Sequence, residues 1–210
     1  MVIDPAVIKP AIESYNRIAL SASYHVSYHL PALYGMDSIW QFQENISGII
    51  VMGSAASVHD GHKWQDDITD LLLESFDKSI PVMGICYGHQ LLAHICGGRV
   101  GPLWNGKKEQ GQRKVNVMEN SLWGKARNGQ MIYSHQDGVT QCPDDFEITA
   151  VSDMVSVDGF VSKTKPIWGF QTHIEATQAF IDNHNIPIAN HQETFAFGHQ
   201  ILDSFILSLA

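Results

Sequence analysis

Two stretches of this chain carry residue types suited to covalent chemistry, and the first centres on Cys86. In Gly84-Ile85-Cys86-Tyr87-Gly88 a cysteine sits between two glycines, after an apolar run at 81–85 and before a helical pattern. A strand that turns sharply into a helix at a nucleophile needs small neighbours on both sides. The helix then aims its free N–H groups and partial positive charge at the sulfur, which stabilises a thiolate and supplies donors for an oxyanion. A structural thiol explains the cysteine but not the paired glycines. Cys96, further along the same helix, and Cys142, before Pro143, fit the structural role better.

A thiolate attacking an amide needs a proton-transfer group, and that group needs orienting. Of the eleven histidines, His173 stands apart. It closes the run 167–173 and is followed two residues later by Glu175. Residues i and i+2 of an extended segment point the same way, so Glu175 can hold the imidazole. Cys86, His173 and Glu175 are therefore the candidate catalytic set. The pairs His59-x-x-His62 and His25/His29 lack the Cys or carboxylate partners of a tetrahedral site, so no metal is expected. No phosphate-binding Gly-x-x-x-x-Gly-Lys loop occurs, and no cofactor is implied.

These residues must be positioned by regular elements. Short apolar runs at 48–52 and 81–85 read as buried strands, and the spacing at 6–19, 64–76 and 88–95 predicts helices. Gly97-Gly98 would end the last of these. Strand and helix in alternation imply a mostly parallel sheet covered on both faces, a three-layer α/β fold. Residues 114–118, 130–134, 146–151, 155–161 and 167–172 read as five further strands, a β-rich second half. An apolar stripe predicts a final helix at 193–209. No repeat or linker divides the chain, so residues 1–210 are expected to form one domain.

Composition narrows the function. A formal charge of −9 with scattered Lys and Arg argues against nucleic-acid binding. Three unpatterned cysteines fit a reducing cytosol. No apolar stretch approaches the roughly 18–20 residues that cross a bilayer, so no membrane association is expected and a cytoplasmic protein is.

Four blocks resemble the class I, triad-type glutamine amidotransferases, whose fold is flavodoxin-like, and within them the GMP-synthase-like branch. Gly84 to Ala93 is similar to the family's nucleophile signature, and Gly169 to Ala176 to its histidine–glutamate signature. Ser134-His135-Gln136-Asp137 resembles a Ser-His-x-Asp segment, and residues 48–58 resemble the strand and oxyanion loop. The resemblance implies hydrolysis of L-glutamine to glutamate and ammonia through a thioester on Cys86. His173 would shuttle protons and Glu175 would orient it. The backbone N–H groups of Ser54 and Tyr87 would form the oxyanion hole. Gly53, Gln90, His135, Gln136 and Asp137 would line the substrate site. It also implies a partner synthetase or other acceptor enzyme for the ammonia.

The sequence departs from the family in three places. Gly53-Ser54-Ala55 replaces a glycine pair and proline, and Ile174 stands where proline usually separates the histidine from the glutamate. The family's usual first strand is represented only by Met1-Val2-Ile3-Asp4, so either it is reduced to a stub or the chain is a shortened version of a longer protein. A parallel sheet short of that strand is expected to dimerise or to be less stable than a version extended upstream. Two competing readings are a γ-glutamyl-peptide hydrolase or peptidase-like relative on the same scaffold, and a non-catalytic binding module.

Overall fold

Very short strands buried on both faces build the centre of the sheet. In the computed structural model, residues 1–189 and 191–210 are described, with the side chains of 43 and 191–193 left aside. The chain opens with β1 (Val2–Ile3), α1 (Ile12–Ser21) and β2 (Tyr28–His29), then two single-turn helices, α2 (Pro31–Tyr34) and α3 (Asp37–Trp40). Strand β3 (Ile49–Val51), helix α4 (Lys63–Asp77), strand β4 (Val82–Ile85) and helix α5 (Tyr87–Ile95) follow. The second half contains β5 (Arg99–Pro102), β6 (Glu109–Val117), β7 (Arg127–His135), β8 (Asp137–Gln141), β9 (Phe146–Val151), β10 (Gly159–Ser162) and β11 (Ile167–Phe170). Helices α6 (Gln178–His184) and α7 (His191–Leu207) close it.

Among the described residues, nine strands form one sheet in the order β2-β1-β3-β4-β11-β10-β9-β6-β7. The strands from β2 to β11 pair in parallel, and the remaining pairs are antiparallel. The expected first strand is thus present as a two-residue β1, hydrogen-bonded between β2 and β3.

Side chains on successive strand residues go to opposite layers. Ile3, Ile49, Val51 and Val82 pack with Ile68, Leu71, Leu72 and Phe76 of α4 and Leu91 and Leu92 of α5. Val2, Ile50, Met83 and Ile85 pack with Ile18 of α1 and Ile201, Leu202, Phe205 and Ile206 of α7. Each fully buried aliphatic or aromatic side chain contributes about 1.5–3 kcal/mol, so residues of a two- or three-residue strand suffice when both faces are covered.

Differences from the sequence expectation have local causes. The first helix begins at Ile12 rather than at residue 6. Pro10 disfavours helical backbone at Lys9, and the Asp4 carboxylate accepts the amides of Ala6 and Ala11, which holds the segment between them in a loop. The run 155–161 forms a strand only from Gly159, because Val155 closes a turn with Ser152 while its side chain and that of Val157 are buried. Strands β2, β5 and β8 and helix α6 gave no apolar periodicity and were not expected. The strands expected at 114–118 and 130–134 belong to a longer hairpin, β6–β7.

Candidate active site

The parallel strands converge at one edge. Ile85 of β4 pairs with Phe170 of β11, and the Cys86 N–H continues the ladder to the Phe170 carbonyl at 2.8 Å. The chain segments leaving these neighbouring strands therefore carry Cys86 and His173 to the same spot. Segments leaving β3 and β1 at that edge carry Gly53 and Asp4. Crevices at the carboxyl ends of parallel strands are where open α/β sheets bind ligands. Here the crevice is a cavity of about 510 Å³, lined by Asp4, Gly53, Cys86, Gln90, His173 and Glu175 among others.

Cys86 has φ 52° and ψ −101°, a conformation that an L-residue adopts only under constraint. The flanking glycines supply the constraint. A Cβ on Gly88 would come within 2.2 Å of the Val51 carbonyl oxygen, and one on Gly84 within 2.5 Å of the Gly88 carbonyl oxygen. Backbone meets backbone here, which only glycine permits. Cys86, 3% exposed, lies at the N-terminus of α5, whose first amides have no intrahelical acceptor. Tyr87 is the first helical residue; its side chain is turned away from the cavity, accepting a hydrogen bond from Gln65 at 3.0 Å.

His173 faces Cys86, and its Nδ1 meets Glu175 Oε1 at 2.8 Å. With Nδ1 committed to the carboxylate, Nε2 is the nitrogen left for the thiol. Burial works against charge on the imidazole, but the Glu175 and Cys86 side chains outweigh it and raise the pKa to about 10. The neighbouring Gly53 makes room for the ring: a Cβ there would lie 2.7 Å from His173 Cε1. Ile174 is fully buried, and Gly198 of α7 lets that helix pack on its backbone.

Ser54 lines the cavity beside Gly53. Its hydroxyl donates to the Pro5 carbonyl at 2.7 Å and accepts the Ala56 amide at 3.1 Å, tying the loop to the segment after β1. Gln90, His135, Gln136 and Asp137 also line the cavity. Gln90 Nε2 donates to the Asp137 carbonyl at 2.7 Å, so this face is prebuilt. Every candidate site residue singled out from the sequence therefore lines one crevice except Tyr87, which follows Cys86 at its edge.

Sequence reasoning missed several neighbours. Gln171, fully buried, directs Nε2 at the Cys86 sulfur at 3.8 Å. Asp4 accepts from Tyr28, Ala6 and Ala11. Burial, partly offset by these bonds and reinforced by the negative charge of Glu175, raises its pKa above the ordinary carboxylate range. Lys9 Nζ donates to Asn183 Oδ1 at 2.6 Å, joining the loop before α1 to α6 on the cavity wall. The signal for Asp4 was a carboxylate directly after the apolar pair Val2-Ile3; for Gln171, its place between β11 and His173.

Among the described residues, no group of three or more His, Cys, Asp or Glu is arranged to hold a metal, and no helix is long and apolar enough to cross a membrane.

Comparison with known proteins places the fold and the sequence. The family described as "Glutamine amidotransferase class-I" matches residues 12–187. The glutamine-hydrolyzing GMP synthase of Ligilactobacillus salivarius is 38% identical over 135 residues, 62% of this chain and 25% of that protein. That of Borreliella burgdorferi is 33% identical over 168 residues, 79% of this chain and 28% of that protein. The chain thus matches about a quarter of the length of these curated relatives. A glutamine amido transferase from Methylobacillus flagellatus has the same fold, with TM-score 0.76 and 17% identity, covering 99% of this chain and 92% of that one. A glutamine amidotransferase from Thermotoga maritima superposes with TM-score 0.72 and 18% identity, covering 100% and 97%. The match over most of the chain, on a sheet that delivers a cysteine elbow to a histidine and a glutamate, makes this chain a member of the class-I glutamine amidotransferase family.

Proposed function

We propose that this chain hydrolyses L-glutamine to glutamate and ammonia, with Cys86 as nucleophile, His173 as acid–base and Glu175 as its orienting partner. One observation carries the reading: a strained cysteine at a helix N-terminus shares one cavity with a histidine whose Nδ1 is held by a buried carboxylate.

The Cys86 thiolate attacks the side-chain amide carbon, and the oxyanion takes N–H donors from Tyr87, at the start of α5, and from Ser54. His173, which holds its proton at neutral pH, passes it to the leaving nitrogen, and ammonia departs as the thioester forms. Water then adds to the thioester carbon, giving its proton to His173, and the C–S bond breaks to release glutamate. Gln90 and the Gln136–Asp137 backbone hold the amino-acid end of the substrate against the prebuilt wall. The relatives' names and the fraction of their length matched support a division of labour, in which the ammonia passes to an acceptor on a synthetase.

The test is direct measurement of ammonia released from glutamine. Cys86→Ala is expected to abolish release, a loss of several powers of ten, while Cys96→Ala and Cys142→Ala retain it. Retained turnover in Cys86→Ala would refute the assignment. Cleavage of a γ-glutamyl peptide in preference to glutamine would transfer it to a hydrolase of that class.

A further inference from the structure

Strand β6 alternates inward and outward residues, and Arg113 occupies an inward position shared with Gly111, Val115 and Val117. It is 5% exposed. One guanidinium nitrogen pairs with the buried Asp158 carboxylate, and the other contacts His135 Nε2 at 2.9 Å. The guanidinium also lies 4.7 Å from the centre of the Tyr133 ring. None of these contacts belongs to the catalytic set.

The chemistry of arginine gives the contact a direction. A guanidinium only donates, so His135 Nε2 must present its lone pair. The imidazole is then neutral with its proton on Nδ1, which donates to the Asp137 carbonyl at 2.9 Å. The same carbonyl accepts from Gln90 Nε2, which also faces Gln171 Oε1 at 3.3 Å. With its oxygen so engaged, Gln171 must present its amide hydrogens to the Cys86 sulfur. The polarity of every bond in this chain is consistent with the one fixed at Arg113. Burial, reinforced by the Arg113 charge, lowers the His135 pKa to about 3 and keeps the ring neutral.

Resting on the glutaminase reading, we infer that Arg113 is a positioning residue. It locks His135 in the Nδ1–H tautomer, and so fixes the Asp137 backbone that receives the amino-acid end of glutamine. Without it, the proton can move to Nε2, and the Nδ1 lone pair then faces the Asp137 carbonyl and repels it. Substrate binding weakens, whereas the chemistry at Cys86 retains its own elbow, His173 and Glu175.

The experiment uses the full chain and three variants: Arg113→Met, Arg113→Met with Asp158→Asn, and Asp158→Asn. The double variant removes both buried charges, so it folds even where an unpaired Asp158 would not be tolerated. Three readouts apply: imidazole nitrogen-15 shifts of His135, kcat and KM for glutamine, and the rate of Cys86 alkylation by iodoacetamide, which needs no amino-acid end.

The parent chain and Asp158→Asn should show a single neutral Nδ1–H tautomer. Both Arg113 variants should lose it and raise KM about tenfold or more, with kcat within about threefold and alkylation nearly unchanged. An Nε2–H or doubly protonated His135 in the parent would overturn the proposal, as would an unchanged KM in the Arg113 variants. A joint collapse of kcat, KM and alkylation would reduce Arg113 to a structural role and overturn it too. A parent chain that is alkylated at Cys86 but turns over no glutamine would refute the glutaminase reading instead, and the tautomer spectra would still decide whether Arg113 governs His135.

Discussion

At the scale of single residues, the proposed mechanism divides labour between a histidine that would move protons and a carboxylate that holds it. His173 stays protonated well above the ordinary imidazole range because Glu175 and Cys86 face it. Removing the ring removes the proton carrier for both half-reactions, so His173→Ala is expected to lower kcat for glutamine by roughly 10⁴-fold or more. Glu175→Gln still orients the imidazole through an amide oxygen but no longer balances its charge, and roughly 10²-fold is expected. Steady-state kcat on the two variants checks the order; a Glu175→Gln loss equal to or larger than that of His173→Ala would reverse the assigned roles. The meeting of Cys86, His173 and Glu175 in one crevice was legible because each has a local signature: glycines around Cys86, and two-residue spacing from His173 to Glu175. Arg113 and Asp158 were not legible in the same way. Their pairing joins β6 to the residue before β10, and no local pattern links positions 45 residues apart.

At the scale of elements, the ends of the four parallel strands β1, β3, β4 and β11 produce the crevice. β3, β4 and β11 were legible as short apolar runs because both faces of each are buried. β5 and β8 were not, since they form a small two-stranded sheet of their own with half-exposed faces. The elbow depends on α5 crossing close to β3, and Gly88 is the residue that allows it. Gly88→Ala puts a methyl group 2.2 Å from the Val51 carbonyl oxygen, a contact that no side-chain rotation relieves. Overpacking between two backbones is expected to cost about 3 kcal/mol or more and to tilt α5 away from the sulfur. A urea titration of Gly88→Ala, read beside its glutaminase rate, tests this. Parent-like stability with parent-like rate would mean that α5 tolerates displacement and that the close approach is incidental.

At the scale of the whole molecule, buried histidines set the acid side of the stability profile. Burial lowers the pKa of His29 to about 4 and those of His89 and His135 to about 3; the chain's amino terminus adds to the effect at His29 and Arg113 at the other two. The unfolded chain takes up protons at these rings from about pH 6.5 downward, while the folded chain does not. Their contribution is therefore complete above pH 6.5 and is lost progressively as pH falls to about 4 for His29 and about 3 for His89 and His135. Asp4 and Asp158, whose pKa values are raised by burial, act in the opposite sense and soften the loss at the acid end. The urea midpoint is expected to fall between pH 6.5 and 4.5, with a shallower slope in His89→Leu. An equal slope in that variant would remove His89 from the account.

The backbone angle at Cys86 has a consequence for the molecule's evolution as well as its chemistry. A φ of 52° with ψ −101° is uncomfortable for cysteine and comfortable for glycine. Strain of this kind is worth about 1–3 kcal/mol, reduced in part by the looser unfolded state that glycine brings. Cys86→Gly is therefore expected to melt a few degrees higher, about 2–4 °C, while losing all turnover. With Cys86 as the proposed nucleophile, drift at this position leads towards a tougher and idle protein, and selection on durability alone would erase that cysteine.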